Sequence, residues 1–452
     1  MKKFILTSLV LAALSLSVSS CSDDSKDKVS CFDGIKNGDE TGVDCGGSCA
    51  ECTTCDDGIQ NGDETGIDCG GSCEPCTGSV EVSGMITSNT TWTSNNIYNL
   101  SGKVVVDNGI TLTIEAGTII KGKLGTGSLA SALVVARGGK IMAQGTSNSP
   151  IIMTSVNDNI EVGETAGTNL TENDNALWGG LIVLGKAKGS FKGDVTEVQI
   201  EGIPAGDTWG LYGGDDDTDN SGVLQYISIR HGGALIGEGN EINGLTLGTV
   251  GSGTVIENIE IVGNLDDGIE FFGGTVNAKN LIIWAQGDDG LDIDQAYSGT
   301  IENSMVILGT TSDHGMEIDG PEGSYEAQFT LNNITLIGNA TTSKGEYADY
   351  RSSAMGTSNN IYAYNFKDES DVELDNDGVA TNYNEGKLIF GIWEIVLPAG
   401  VTDAKDIFVN KAETVIVNGF GDEAVAVTKG SQTVGADVSV FDWTYAKANG
   451  AY

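Results

Sequence analysis

NIEIVGNLDDGIEFFGG (258–274), NLIIWAQGDDGLDIDQA (280–296) and NSMVILGTTSDHGMEIDG (303–320) decide the fold of this chain. Each segment opens on an asparagine, continues through a short β-branched run, and reaches an acidic or histidine-bearing pair followed by glycine. Two more asparagines, Asn333 in NITLIG and Asn360 in NIYAYN, extend the series. The steps between the five asparagines are 22, 23, 30 and 27 residues, and loops such as GPEGSYEAQ absorb the longer ones. A unit of about 22 residues built from short strands and turns has the size of one coil of a parallel β-helix, each coil stacking about 4.8 Å above the last. An asparagine recurring at one turn fits a stacked side-chain ladder. A β-sandwich with accidental spacing is the alternative, but it leaves the shared register of the acidic motif unexplained.

The register assigns directions to side chains. In the strand after each Gly (Gly268, Gly290, Gly315), alternation sends Ile269, Leu291 and Met316 inward, and likewise Phe271, Ile293 and Ile318. Glu270, Asp292 and Glu317 then point outward as a column. Asp294 and Asp319 form a second column, and Asp267, Asp289 and His314 share a turn position. The rest of the chain after Gly78 reads the same way, in stretches such as KVVVDNGITLTIEAGTIIKG, with 65 glycines and only 5 prolines overall. The expectation is an all-β chain. A right-handed parallel β-helix spans residues 77–390, and residues 391–452 form a C-terminal cap over an edge that would otherwise invite aggregation.

The stretches TLTIEAGTIIKG, GGKIMAQGTSNSPIIMTS, WGGLIVLGKA and LDDGIEFFGGTVNAKNL resemble a family of bacterial secreted β-helix proteins. That resemblance supports the fold and assigns no activity.

The N-terminal quarter reads differently. Lys2, Lys3 and an apolar run from Phe4 to Leu16 form a secretory signal, residues 1–20, too short to span a bilayer. VSSC resembles a bacterial lipobox, which implies cleavage before Cys21 and its lipidation; the alternative is a soluble secreted protein with one unpaired thiol. The acidic tether SDDSKDK, within residues 21–30, resembles the surface-export signal of Bacteroidetes-type lipoproteins. It implies a lipid-anchored protein on the outer face of the outer membrane. Two repeats follow at a period of 24, within segments 31–52 and 53–76. Their cysteines, Cys31, Cys45, Cys49, Cys52 and Cys55, Cys69, Cys73, Cys76, read as two disulfides per repeat on a secretory route. Three pairings are open in each, and zinc is the rival. Asn37, Asp39, Thr41 and Asp44, and in the second repeat Asn61, Asp63, Thr65 and Asp68, alternate oxygen side chains as a calcium loop would, or as a polar turn would. The repeats resemble Cys-rich stalk modules of Bacteroidetes-type surface proteins.

A net charge of −41, from 64 acidic and 23 basic residues, argues against nucleic acid as a partner. No GxSxG, HExxH or P-loop is present. Stacked carboxylates about 5 Å apart repel, so the acidic columns must be solvated, hold a cation, or do chemistry. The first reading is a plain acidic face. The second is calcium held by Asp267, Glu270, Asp288, Asp289, Asp292, Asp294 and Glu317. The third comes from a resemblance to polygalacturonases, whose N-x-D, D-D and G-H-G motifs fall on successive coils. Here Asn264-Leu265-Asp266, Asp288-Asp289 and His314-Gly315 match in spacing, which would make Asp289 the acid and Asp266 and Asp288 the water-activating pair. Asp313 replaces the first glycine of the histidine motif, and no R-I-K follows, the next arginine being Arg351. His231 carries no assignment. Function is therefore expected to be non-enzymatic binding of an extracellular polysaccharide or other surface ligand with calcium, a glycosidase or lyase being the alternative.

Overall fold

The computed structural model describes residues 30–49, 52, 55, 60, 64, 68–71, 73, 76–236, 242–342 and 344–452. Two compact units divide between Cys76 and Thr77. The signal, Cys21 and the acidic tether lie outside the described residues. No helix among the described residues is long and apolar enough to cross a membrane.

In the first unit both repeats pair their cysteines alike: Cys31–Cys49 and Cys45–Cys52, then Cys55–Cys73 and Cys69–Cys76. All eight repeat cysteines are therefore spent on disulfides, which removes the zinc alternative. The alternating oxygens of the first repeat do not converge. Asp44 accepts the Asp33 and Gly34 amides at 2.9 and 2.8 Å, while Asp39 accepts Ser48 Oγ at 2.8 Å. They cap turns rather than share a point. Asn61, Asp63 and Thr65 of the second repeat lie outside the described residues.

The second unit is the expected parallel β-helix, with twenty-five strands linked in one parallel sheet. Val255–Val262, Ala278–Trp284, Thr300–Ile307, Phe329–Ile337 and Gly356–Tyr364 stack in register. Each bends at its asparagine, where φ is 54–58° at Asn258, Asn280, Asn303, Asn333 and Asn360. Asparagine tolerates this left-handed corner, and its side chain can bond up the stack. Asn280 donates to Asn258 at 3.0 Å and Asn303 to Asn280 at 2.7 Å. Higher up the ladder changes partner: Asn333 donates to Glu302 and Asn360 to Asn332. The bend divides each coil's long strand into a first face before the asparagine and a second face after it. A third face stacks Leu245–Gly248, Ile269–Phe272, Leu291–Asp294, His314–Ile318, Glu346–Tyr350 and Val372–Leu374.

The core runs up the middle. Ile269, Leu291, Met316, Phe271, Ile293 and Ile318 are all inside, as alternation required. The glycine after each acidic pair is forced by close approach. A Cβ on Gly268 would sit 2.6 Å from the Gly290 carbonyl oxygen, and one on Gly290 would sit 2.6 Å from that of Gly315.

The helix continues past residue 390. Trp393–Ile395, Phe408–Asn410 and Ala424–Ala426 add rungs, and Phe390, Trp393, Phe408 and Phe420 fill the last coil as its cap. From Thr428 the chain then turns back along the second face. Phe441 there packs on Ile282, Met305, Ile307 and Ile337. The third face has a cover of its own over the early coils. Phe191, Ile200, Ile203 and Tyr212, from an excursion after Leu181–Leu184, pack on Val105, Val134, Ile182 and Leu184.

Candidate functional site

Where that cover ends, the third face turns acidic. Its outward column reads Thr246, Glu270, Asp292, Glu317, Asp349 and Glu373 on six successive coils. The five carboxylates point away from the core, yet each is at most 9% exposed. A freely solvated acidic face is thereby ruled out for this column. Beside it runs the turn column. Asp267 accepts the Asp289 amide at 2.9 Å, and Asp289 accepts the His314 amide at 2.9 Å.

The C-terminal half of this surface carries its own counter-cations, although among the described residues Asp349 forms no ion pair and its Oδ1, like that of Asp292, is buried without a hydrogen-bond partner. His314 Nδ1 lies 2.8 Å from Asp289 and 3.9 Å from Glu317. Burial alone would lower the His314 pKa, but the hydrogen bond and charge of Asp289, with Asp313 and Asp349, outweigh it and push it up to about 9. Arg351 pairs with Asp319 at 2.7 Å and also with Glu317. Lys411 pairs with Asp371 at 3.5 Å and with Glu373.

The N-terminal half does not. Asp267, Glu270 and Asp292 offer oxygens that all lie within 4.8 Å of one another. Among the described residues no lysine, arginine or histidine forms an ion pair with any of the three. Glu270 accepts Asn243 Nδ2, and Asp292 Oδ1 is buried with no hydrogen-bond partner. Burial first, and then the neighbouring carboxylates, hold all three well above the usual carboxylate range. A buried, orphaned carboxyl oxygen facing two more carboxyl groups fits a hard divalent cation with oxygen ligands, which would displace their protons.

The calcium set expected from sequence is thus regrouped. Asp267, Glu270 and Asp292 come together. Asp288 lies at the mouth, converging with Asp266 and Asp267. Asp289 and Glu317 belong with His314 instead, because the imidazole supplies the positive charge there. Asp294 sits on the second column, where burial and then the Asp319 charge push it up to about 7. Sequence reading missed Asn243, Asp349, Glu373 and the counter-cation Lys411. Asp349, in EYADY, lacks the Asp-Gly pair that marked the other rungs.

His231 is buried, with Nδ1 2.8 Å from the Asp174 carbonyl, a structural role. Higher on the turn column, Glu346 and Asp371 share a hydrogen bond. Burial first, then that bond and the Asp371 charge, push Glu346 up to about 7. An acid raised in the folded state favours folding least at high pH: nothing is lost below about 4.5, and the loss accumulates up to about 7. Glu346→Gln should therefore match wild type at pH 4 and exceed it by about 1 kcal/mol at pH 8, a figure discounted for the half-exposed side chain. Urea unfolding at the two pH values measures this, and equal stabilities at pH 8 would show that the pair carries no strain.

A family model described as a pectate-lyase-like β-helix domain matches residues 84–445. The chain belongs to that family. No curated protein and no solved structure matches it. In this member of the pectate-lyase-like β-helix family, the acidic row and its counter-cations occupy the exterior of the third face.

Proposed function

We propose that the chain is a lipid-anchored, surface-exposed β-helix binding module. In this reading its third face holds calcium between Asp267, Glu270 and Asp292 and takes an extracellular polysaccharide there. The observation that carries it is the buried Asp292 oxygen, unpaired among like charges. Calcium coordinates six to eight oxygens, so three carboxylates leave positions for Asp266, Asp288 or the ligand's own oxygens. Lipidation at Cys21 and display on the outer membrane rest on the lipobox and the acidic tether.

Binding is favoured over catalysis by the state of Asp289. A general acid must reach the leaving oxygen. Asp289 is 4% exposed and is bonded to both the His314 amide and the ring. The glycosidase or lyase reading keeps the support of the family and is decided in the same assay. Mature protein incubated with polyuronates should be retained in calcium and released by chelator, without new reducing ends or unsaturated products. Calcium-independent retention, or no retention, would remove the binding reading. Product formation lost in Asp289→Asn would replace it with the enzymatic one.

A further inference from the structure

The second face lies under the C-terminal segment, and the third under the excursion and the acidic row. Among the described residues the exterior of the first face is left half-exposed along its length. It carries two lanes. One lane is Met142, Val223 and Val255, then Asn277, Thr300 and Thr330, a methyl-bearing strip interrupted by one amide. The other, two residues along each strand, is Gln144, Gln225, Glu257, Lys279, Glu302 and Asn332. The polar lane is bonded rung to rung: Gln225 to Glu257 at 3.1 Å, Lys279 to Glu257 at 3.0 Å, Asn332 to Glu302 at 2.8 Å. Midway lies an open groove of about 440 Å³, walled by Val255, Glu257, Lys279, Thr300 and Glu302 with Ser252 and Thr254 at its rim.

We infer that this first face is a second binding site, one that takes an extended, uncharged polysaccharide lying along the helix axis. The match is chemical. A sugar ring has an apolar C–H face and a hydroxyl edge, and the two lanes offer an aliphatic strip beside groups that both donate and accept. Rungs repeat about every 4.8 Å, close to the length of one ring in an extended chain, so successive rings meet equivalent side chains. Charge selects against polyanions. On this face Lys279 is already matched by Glu257, and Glu302 adds a further negative charge, so a polyanion finds no free cation here. No aromatic ring lies in either lane, so each sugar contributes little, and affinity must come from many rungs engaged together. The site stands apart from the calcium reading, since none of its residues belongs to the acidic row.

Affinity electrophoresis in gels containing soluble xylan, mixed-linkage glucan or galactomannan, with chelator present, tests it. The mature protein is expected to be retarded by at least one of them, with short oligosaccharides competing weakly and long ones well. The paired change Val223→Asp and Val255→Asp should weaken retardation by about tenfold or more. A circular dichroism spectrum and a cooperative thermal transition like those of wild type show that the variant has folded. Asp292→Asn should leave retardation unchanged. The inference is overturned if no neutral polysaccharide retards the protein. It is equally overturned if Asp292→Asn abolishes retardation, which places the ligand on the third face, or if the paired change acts by dissociating a dimer seen in light scattering.

Discussion

Calcium added to the chelated protein should raise its unfolding temperature by several degrees, and Asp292→Asn should erase that rise while unfolding at a higher temperature than wild type in chelator. Both halves follow from one geometry. Carboxylates within 4.8 Å of each other repel by on the order of 3 kcal/mol per ionised pair at the effective dielectric of a protein site. Without an ion, burial first and then this repulsion make the cluster keep its protons, so its three members titrate above the usual range. Asparagine at position 292 removes one charge from the cluster and with it a ligand. Bound at a hundredfold excess over its dissociation constant, calcium stabilises by about 2.7 kcal/mol. Its effect must also grow with pH. The folded acids are raised, so the cation-free protein loses stability as pH climbs above the ordinary carboxylate range, and calcium displaces the protons responsible. Melting curves at pH 5 and pH 8, with calcium and with chelator, check all of this. Equal shifts in wild type and Asp292→Asn would move the ion elsewhere, and no shift at either pH would remove it.

Reading direction from sequence succeeded where a backbone rule acts alone. Strand alternation placed Ile269, Leu291 and Met316 inside and Glu270, Asp292 and Glu317 in one column, because a stacked coil fixes both register and period. The asparagine corner was legible for the same reason, each turn requiring the same left-handed φ. What an outward side chain meets was not legible. Glu270 and Glu317 occupy equivalent rungs, yet one faces Asn243 and the other Arg351, residues 27 positions before and 34 after. Those partners come from turns whose lengths vary between coils, and no periodicity carries them. The cap was legible only in part. FGIWEIVLP does plug the last coil, but nothing in VSVFDWTYAKANG announces the strip it covers. That strip is Ile282, Met305 and Ile307, on the outer side of the second face.

The returning segment carries the second large effect. In a solenoid each coil touches only its neighbours, so stability is close to a sum of local interfaces. Residues 428–452 break that rule. Thr433 bonds Glu394 near the last coil, Ala436 bonds Thr335, and Asp437 bonds Asn303. Further back, the Ala446 amide donates to Glu260 at 2.8 Å, and Tyr445 reaches the Leu170 carbonyl at 3.1 Å. Beneath it Arg230 and Glu260 are almost fully buried, 3.8 Å apart, with the Tyr445 ring over the guanidinium at 4.5 Å. Such a pair is tolerable only while every lone pair is matched. Phe441→Ala should cost about 3–5 kcal/mol, the usual loss for emptying a buried aromatic site. Removing residues 428–452 should do more than destabilise. Without the strap the coils from Arg230 to Tyr364 are coupled only to their neighbours, so one urea transition should split into two that differ between tryptophan fluorescence and circular dichroism. Ile282, Trp284, Met305 and Ile337 would become a continuous apolar strip, and dye binding and self-association should rise together. A truncated protein that unfolds in one transition at the wild-type midpoint, without added dye binding, would show that the coils hold together without the segment and that it merely lies on the second face.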